Sequence, residues 1–223
     1  DAELATFRAA LRCISETAAP LATLVLISSA GGLHSGTRGE PISESTPPRA
    51  MSAYGRMKLE QEKLLRQAVA ARGFRGLILR APTVYGAGQD RTKKQGLVSA
   101  LVRSAWTSSS VTIYVPRETR RHYLWADDLG YIAVQVVAQT PIERGTTLTR
   151  VVTTDRSRTV DEVVATVERV VRRRPVVRFM PTNYAPGHGL DLTLQSEFHP
   201  VWRTSDRVRL AEGVKRLIDD HRF

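Results

Sequence analysis

The sequence predicts an α/β fold built on a mostly parallel sheet, and three observations predict it. Short apolar runs, Leu24–Ile27 first among them, lack the alternation of a half-exposed strand, as expected for strands covered on both faces. Segments with helical spacing of apolar residues separate those runs, so strand and helix alternate. Small residues follow two of the strands, at Ser28-Ser29-Ala30-Gly31-Gly32 and at Ala81-Pro82-Thr83, which leaves room for a ligand at the carboxyl ends of parallel strands.

Taken in order, Leu4, Phe7, Leu11 and Ile14 give a helix over residues 3–17. The strand at Leu24–Ile27 ends in a polar turn. Residues 35–50, rich in Gly, Ser, Thr and Pro, form a loop that leads into a helix from Ser52 to about Ala71, stopped before Gly73. Phe74–Leu79 holds the next strand. A helix over 97–106, a strand over Val111–Val115, a helix over 127–139 and a strand over Leu148–Thr153 follow. Asp127 and Asp128 suit the positive end of the 127–139 helix and read as capping residues rather than metal ligands. Thr159-Val160-Asp161-Glu162 has the pattern of a capping box, and it opens a helix whose valines recur at core spacing. Val176–Met180 is a short strand, residues 181–203 are irregular, and residues 208–220 form the last helix. The five histidines show no metal-ligand spacing. His188, between two glycines, reads as a loop residue.

Composition narrows the function classes. With 223 residues the chain can bury one sizeable core or two small ones. The lone Cys13 excludes an internal disulfide and fits a reducing, cytoplasmic setting. No apolar run has the length of about 18 residues needed for a membrane span. The formal charge of +11 is mostly arginine, which admits a polyanionic partner. The arginines are scattered, however, and the one tight run, Arg172-Arg173-Arg174, ends a predicted helix, where cations complement the dipole. This speaks against nucleic-acid binding and leaves an anionic small molecule as the simpler partner.

The chemistry centres on Tyr54 and Lys58. Four residues apart on one helix, they share a face. A phenol ionises near pH 10, and a neighbouring ammonium is expected to lower that value. Such a pair suits proton transfer to or from a hydroxyl. A serine hydroxyl at the end of the preceding strand, Ser29 or Ser28, can bond the same oxygen.

Ser28-Ser29, Tyr54-x-x-x-Lys58 and Leu79-Arg80-x-Pro82-x-Val84-Tyr85-Gly86 occur in that order. Arg121-His122-Tyr123-Leu124-Trp125-Ala126-Asp127-Asp128 follows, close to an Arg-Asp-Phe-x-x-Val-x-Asp pattern. Leu190-Asp191 and Leu210-Ala211-Glu212-Gly213-Val214 close the series. With these motifs the chain resembles the extended short-chain dehydrogenase/reductase superfamily, and within it the NAD-dependent epimerase/dehydratase family of nucleotide-sugar enzymes. The resemblance implies the C-terminal part of a doubly wound, Rossmann-like parallel sheet plus a small α/β substrate-binding region. Residues 1–88 would be the partial NAD-binding domain, and residues 89–223 mainly the substrate region, with some segments returning to the sheet.

The resemblance also implies roles. Tyr54 would be the acid/base, while Lys58 would lower its pKa and hold the nicotinamide ribose of NAD, or of NADP. Ser29, or Ser28, would bond the reacting sugar hydroxyl. Pro82 and Thr83 would lie near nicotinamide and substrate, and Arg121 would face the diphosphate of a nucleotide-diphosphate sugar. Members of the superfamily often form homodimers through two helices, which here match residues 3–17 and 52–72.

There are departures from the family pattern. The Thr-Asp-Glu triplet of sugar dehydratases is absent at Ser28-Ser29-Ala30. His34 stands where a tyrosine is frequent, and Pro181-Thr182-Asn183-Tyr184 lacks a second phosphate-binding arginine. No Gly-x-x-Gly-x-x-Gly motif is present, and Gly31-Gly32 leads into a Pro-rich loop rather than a helix. These 223 residues alone are therefore expected to bind NAD weakly, and the strand at 24–28 is expected to lack a neighbour on one side. A nucleotide-sugar 4-epimerase-like enzyme is the first reading. A sugar reductase or dehydrogenase of the same superfamily is the second. A non-catalytic remnant binding a polyanion or protein partner is the third.

Overall fold

The computed structural model describes residues 2–17, 19, 22–37, 41–89, 96–180, 191–198 and 208–220. Its central sheet has three parallel strands in the order β1 (Thr23–Ser29), β2 (Arg75–Ala81) and β7 (Thr147–Val151). β1 and β2 are in register from Thr23 opposite Arg75 to Ser29 opposite Ala81, so both strands end at the same level.

Side-chain alternation divides β2 between two helical layers. Ile78 packs with Leu26 of β1, with Leu11 of α1 (Ala2–Thr17) and with Leu65 and Val69 of α3 (Ala53–Arg72). Leu77 and Leu79 face the other way, onto Leu129, Ile132 and Val136 of α5 (Ala126–Gln139). Helices therefore cover both faces of β2, which explains its unbroken apolar run. Ile78 and Leu79 are fully buried, each worth about 1.5–3 kcal/mol relative to exposure. β1 differs: it pairs with β2 alone, and Val25 and Ile27 remain 41% and 38% exposed on the face away from α3. Among the described residues it is an edge strand with one open face.

The remaining elements form a second packed unit. α4 (Leu97–Thr107), α6 (Val160–Val171) and α7 (Leu210–Asp220) enclose Tyr85 and Trp125, whose rings meet edge to face at 5.5 Å. α6 begins with the predicted capping box: Thr159 Oγ1 accepts the Glu162 N–H, and Glu162 accepts the Thr159 N–H. Val163 and Val167 are fully buried, so the valine stripe is core. Paired short strands complete the unit: β4 (Ser110–Ile113) with β9 (Val176–Phe179), and β5 (Arg120–Arg121) with β8 (Arg158–Thr159). β3 (Thr83–Tyr85) pairs in parallel with β6 (Tyr123–Trp125).

Two local expectations change. Ala30–Leu33 forms a one-turn helix, α2, rather than a turn leading straight into the loop. Ser29 caps it by accepting the Gly32 N–H at 3.1 Å, as serine before a helix does. Asp127 and Asp128 lie in the first turn of α5 but make no cap bond. Instead Asp127 accepts the Trp125 indole N–H (3.1 Å) and Asp128 the Val208 N–H (3.0 Å), so both join neighbouring segments. His188 and Pro181–Tyr184 fall outside the described residues.

Candidate active site

The end of β1 and the start of α3 are brought together by small residues. A side-chain carbon at Gly55 would collide with the Gly32 carbonyl, so α3 reaches α2 only because residue 55 is glycine. A carbon at Gly32 would lie 2.9 Å from Tyr54 Cε1 and 3.2 Å from Ser29 Oγ. Gly32 is thus the gap through which phenol and serine hydroxyl come within reach of each other. Gly55→Ala is expected to push the two helices apart at a cost of about 1–3 kcal/mol. A thermal melt of that variant at the wild-type midpoint would contradict this.

Every residue assigned a role from sequence lines one cavity of about 630 Å³. Ser28, Ser29, Tyr54, Lys58, Thr83 and Arg121 come from four elements, β1, α3, β3 and β5, and Pro82 from the junction that follows β2. The volume is within the range of about 300–1,000 Å³ that suits one drug-sized ligand.

The two serines separate cleanly. Ser28 is buried and donates to Glu62 Oε1 at 2.7 Å, on the α3 side of the sheet. Ser29 carries the hydroxyl beside Tyr54, so the open choice between them falls to Ser29 as the group facing the phenol.

The electrostatics differ from the expectation for Tyr54. Although Tyr54 as a whole is 45% exposed, partial burial pushes its phenol above the ordinary value, hydrogen bonding by Ser29 offsets part of this, and the Glu3 carboxylate adds to the rise. Lys58 does not reverse it. Its Nζ lies 5.8 Å from the Tyr54 ring centre and 3.9 Å from Glu3 Oε1, so an anion shares its field. The Lys58 side chain is only 15% exposed and stays inside the cavity rather than in bulk water.

Sequence reasoning missed two supports of this site. Glu62 is 2% exposed and takes two parallel bonds from Arg80: Nε to Oε1 at 3.1 Å and Nη2 to Oε2 at 3.0 Å. Ser28 and Arg80 are register partners on adjacent strands, so this one carboxylate ties β1, β2 and α3 together. The signal was spacing: Glu62 lies one turn beyond Lys58 on the same helical face. The second support is His122, in the position where the resembled motif has aspartate. Its Nε2 accepts the Leu194 N–H (3.1 Å), and its Nδ1 faces both the Thr154 N–H (3.3 Å) and Thr154 Oγ1 (2.9 Å). No sequence signal placed Leu194 there, 72 residues away.

Both buried histidines are neutral. Burial holds His34 down to about 4, helped by Arg80 and opposed by Glu62. Burial also lowers His122 to about 4, against Asp155 and Asp191 and with a small push from Arg158. Their ordinary value is about 6.5, so the unfolded chain binds protons that the fold refuses. Stability should therefore fall as pH drops from about 6.5 towards 4, by up to about 1.4 kcal/mol per pH unit for each histidine. Urea midpoints between pH 7 and pH 4.5 measure this, and the slope should shrink in His122→Gln.

The model of the "NAD dependent epimerase/dehydratase family" matches residues 3–147, well over half the chain. The chain belongs to this family. A curated relative, the dTDP-L-rhamnose 4-epimerase of Burkholderia thailandensis, is 33% identical over 100 residues, covering 44% of this chain and 28% of that protein. Among solved structures, MoeE5 in complex with UDP-glucuronic acid and NAD superposes with a TM-score of 0.76 at 22% identity. The match covers 94% of this chain and 67% of that one. The Thermus thermophilus UDP-glucose 4-epimerase complexed with NAD gives 0.76 at 22% identity, over 94% and 66%. These likenesses establish the fold, and the chain spans about two-thirds of the length of those structures.

The cavity suits the ribose end of the family's dinucleotide. An ammonium, a phenol and two small hydroxyls (Lys58, Tyr54, Ser29, Thr83) are the donor set a ribose diol and an adjoining sugar hydroxyl require. No described helix is long and apolar enough to cross a membrane, and no described group of acidic, histidine or cysteine residues could hold a metal ion.

Proposed function

We propose that the chain carries the reacting half of an NAD-linked nucleotide-sugar 4-epimerase. The observation that carries this reading is the convergence of Tyr54, Lys58 and Ser29 on one cavity at the ends of parallel strands. The nucleotide-sugar epimerases among the relatives support it.

In this reading the sugar hydroxyl sits between the Tyr54 oxygen and Ser29 Oγ. Tyr54 takes its proton and later returns it. Ser29 holds the oxygen in line while its own hydroxyl is fixed as the α2 cap. Lys58 holds the ribose, and its charge favours the phenolate once a ligand has shut out water and displaced the Glu3 contact. Pro82 and Thr83 line the nicotinamide side, and Arg121 pairs with the diphosphate. Bound NAD supplies hydride exchange at the carbon bearing the reacting oxygen. Residues 1–88 serve the cofactor and residues 89–223 mainly the sugar nucleotide.

The test is direct. The chain is incubated with NAD and UDP-glucose or dTDP-L-rhamnose, and inversion at C4 is followed by proton NMR. Titration calorimetry measures binding in parallel. Inversion of either sugar supports the reading. Absence of binding by any nucleotide sugar would overturn it and favour the non-catalytic remnant.

A further inference from the structure

Residues 191–197 run as a strap beside the cavity. On one flank the strap meets the loop: Thr193 O accepts the Ile42 N–H (2.8 Å) and Ile42 O accepts the Gln195 N–H (2.9 Å). On the other flank it begins a parallel ladder with β5, in which Arg120 O accepts the Leu192 N–H (3.4 Å). The next rung of such a ladder sets the Leu194 N–H on the carbonyl of residue 122. That carbonyl is already engaged. It accepts the Thr83 N–H at 3.0 Å, in the pairing of β3 with β6. The imidazole of the same residue takes its place, and His122 Nε2 accepts the Leu194 N–H at 3.1 Å.

His122 thus serves two pairings at once, one with its backbone and one with its ring. The segments it joins carry Thr83, Arg121, Leu192 and Leu194, all of which line the cavity. The ring is 4% exposed and its bond to Leu194 is buried. Without that acceptor the Leu194 N–H is left as a buried donor, which favours opening of the strap. Reach decides which side chains can replace the ring. A glutamine amide oxygen extends about as far from the backbone as Nε2, whereas that of asparagine stops one bond short, near Nδ1.

We propose, resting on the function above, that His122 is a positioning residue for the sugar-nucleotide reaction: its ring supplies the ladder acceptor that its own carbonyl cannot, and so holds the strap closed against the cavity beside Arg121. Tyr54, Lys58 and Ser29 stand on α3 and β1, which the ring does not touch. Loss of the latch therefore weakens substrate binding more than the chemical step.

The experiment compares the full chain with His122→Gln, His122→Asn and His122→Ala. Amide hydrogen exchange is followed at Leu192, Leu194 and Gln195, and UDP-glucose affinity is measured calorimetrically with NAD present, alongside kcat and KM. In His122→Asn and His122→Ala, exchange at Leu194 should quicken by about 5- to 100-fold, the range for stranding a buried donor. UDP-glucose affinity should fall by about 3- to 10-fold, with KM raised and kcat little changed, because the loop side of the strap still holds. His122→Gln should restore both protection and affinity. A residue that merely fills space would not make recovery follow the position of the acceptor. Asparagine protecting Leu194 as well as histidine does, or glutamine failing like alanine, would overturn the inference and leave nucleotide-sugar binding standing. Failure of the unaltered chain to bind UDP-glucose would bring down the positioning role together with the proposed function, and the exchange pattern, which needs no ligand, tells the two failures apart.

Discussion

Tyr54→Phe is expected to lower the turnover of nucleotide-sugar inversion by about 10²–10⁴-fold, the range for loss of a positioned acid/base group. Binding of the sugar nucleotide should change far less, because the ring that fills the space beside Gly32 remains and only its oxygen is lost. The prediction separates chemistry from packing. A residue serving only to pack against α2 would tolerate phenylalanine with no loss of rate. The pH dependence adds a second check. Burial and Glu3 hold the phenol above its ordinary value without ligand, so at neutral pH Tyr54 carries its proton. The rate at low substrate, which reports the ligand-free chain, should therefore rise as pH increases above neutrality, and Glu3→Gln should shift that rise to lower pH by removing an opposing anion. Initial rates from pH 6 to pH 10 for both variants measure these effects. More than about a tenth of the wild-type rate in Tyr54→Phe would remove Tyr54 from the chemistry.

Much of the sheet was readable because the pattern is local. Leu77–Leu79 are apolar because helices lie against both faces, and burial leaves that mark on consecutive residues, whereas in Leu24–Ile27 the run is unbroken although Val25 and Ile27 face an open side. The capping box at Thr159 is equally local, with both of its bonds made within four residues. The motif residues around the cavity were readable as a set because their order along the chain follows the order of strand ends. What remained hidden was long-range. β5 and β6 are two or three residues long, too short to show a period, and exist through partners at Arg158–Thr159 and Thr83–Tyr85. The Leu194–His122 bond joins residues with no shared pattern. The direction of the Tyr54 shift differed for the same reason: helical spacing placed the Lys58 cation beside it, but not the Glu3 anion from α1 or the partial loss of water around the phenol.

Glu62→Ala is expected to destabilise the fold by about 3–5 kcal/mol, the cost of leaving a buried charge without its partner. The stranded charge is Arg80, which is 6% exposed and gives Glu62 two bonds, and the Ser28 hydroxyl loses its acceptor as well. Arg66, 3.6 Å from Glu62 and far more exposed, can turn to solvent and should contribute little. The decisive comparison is a double-mutant cycle. Glu62→Leu with Arg80→Met replaces the pair by apolar groups of similar length and should cost less than either single change, because no uncompensated charge remains. Urea unfolding of the four proteins measures the coupling, and additive losses would show that the two side chains act independently. The cycle also bears on the active site. The pair pins the ends of β1 and β2 to the helix that carries Tyr54 and Lys58, so it sets how far Ser29 stands from the phenol. If the double variant keeps its stability but loses nucleotide-sugar turnover, the ion pair is retained for that alignment. If it keeps both, apolar packing alone can hold the strand ends in place.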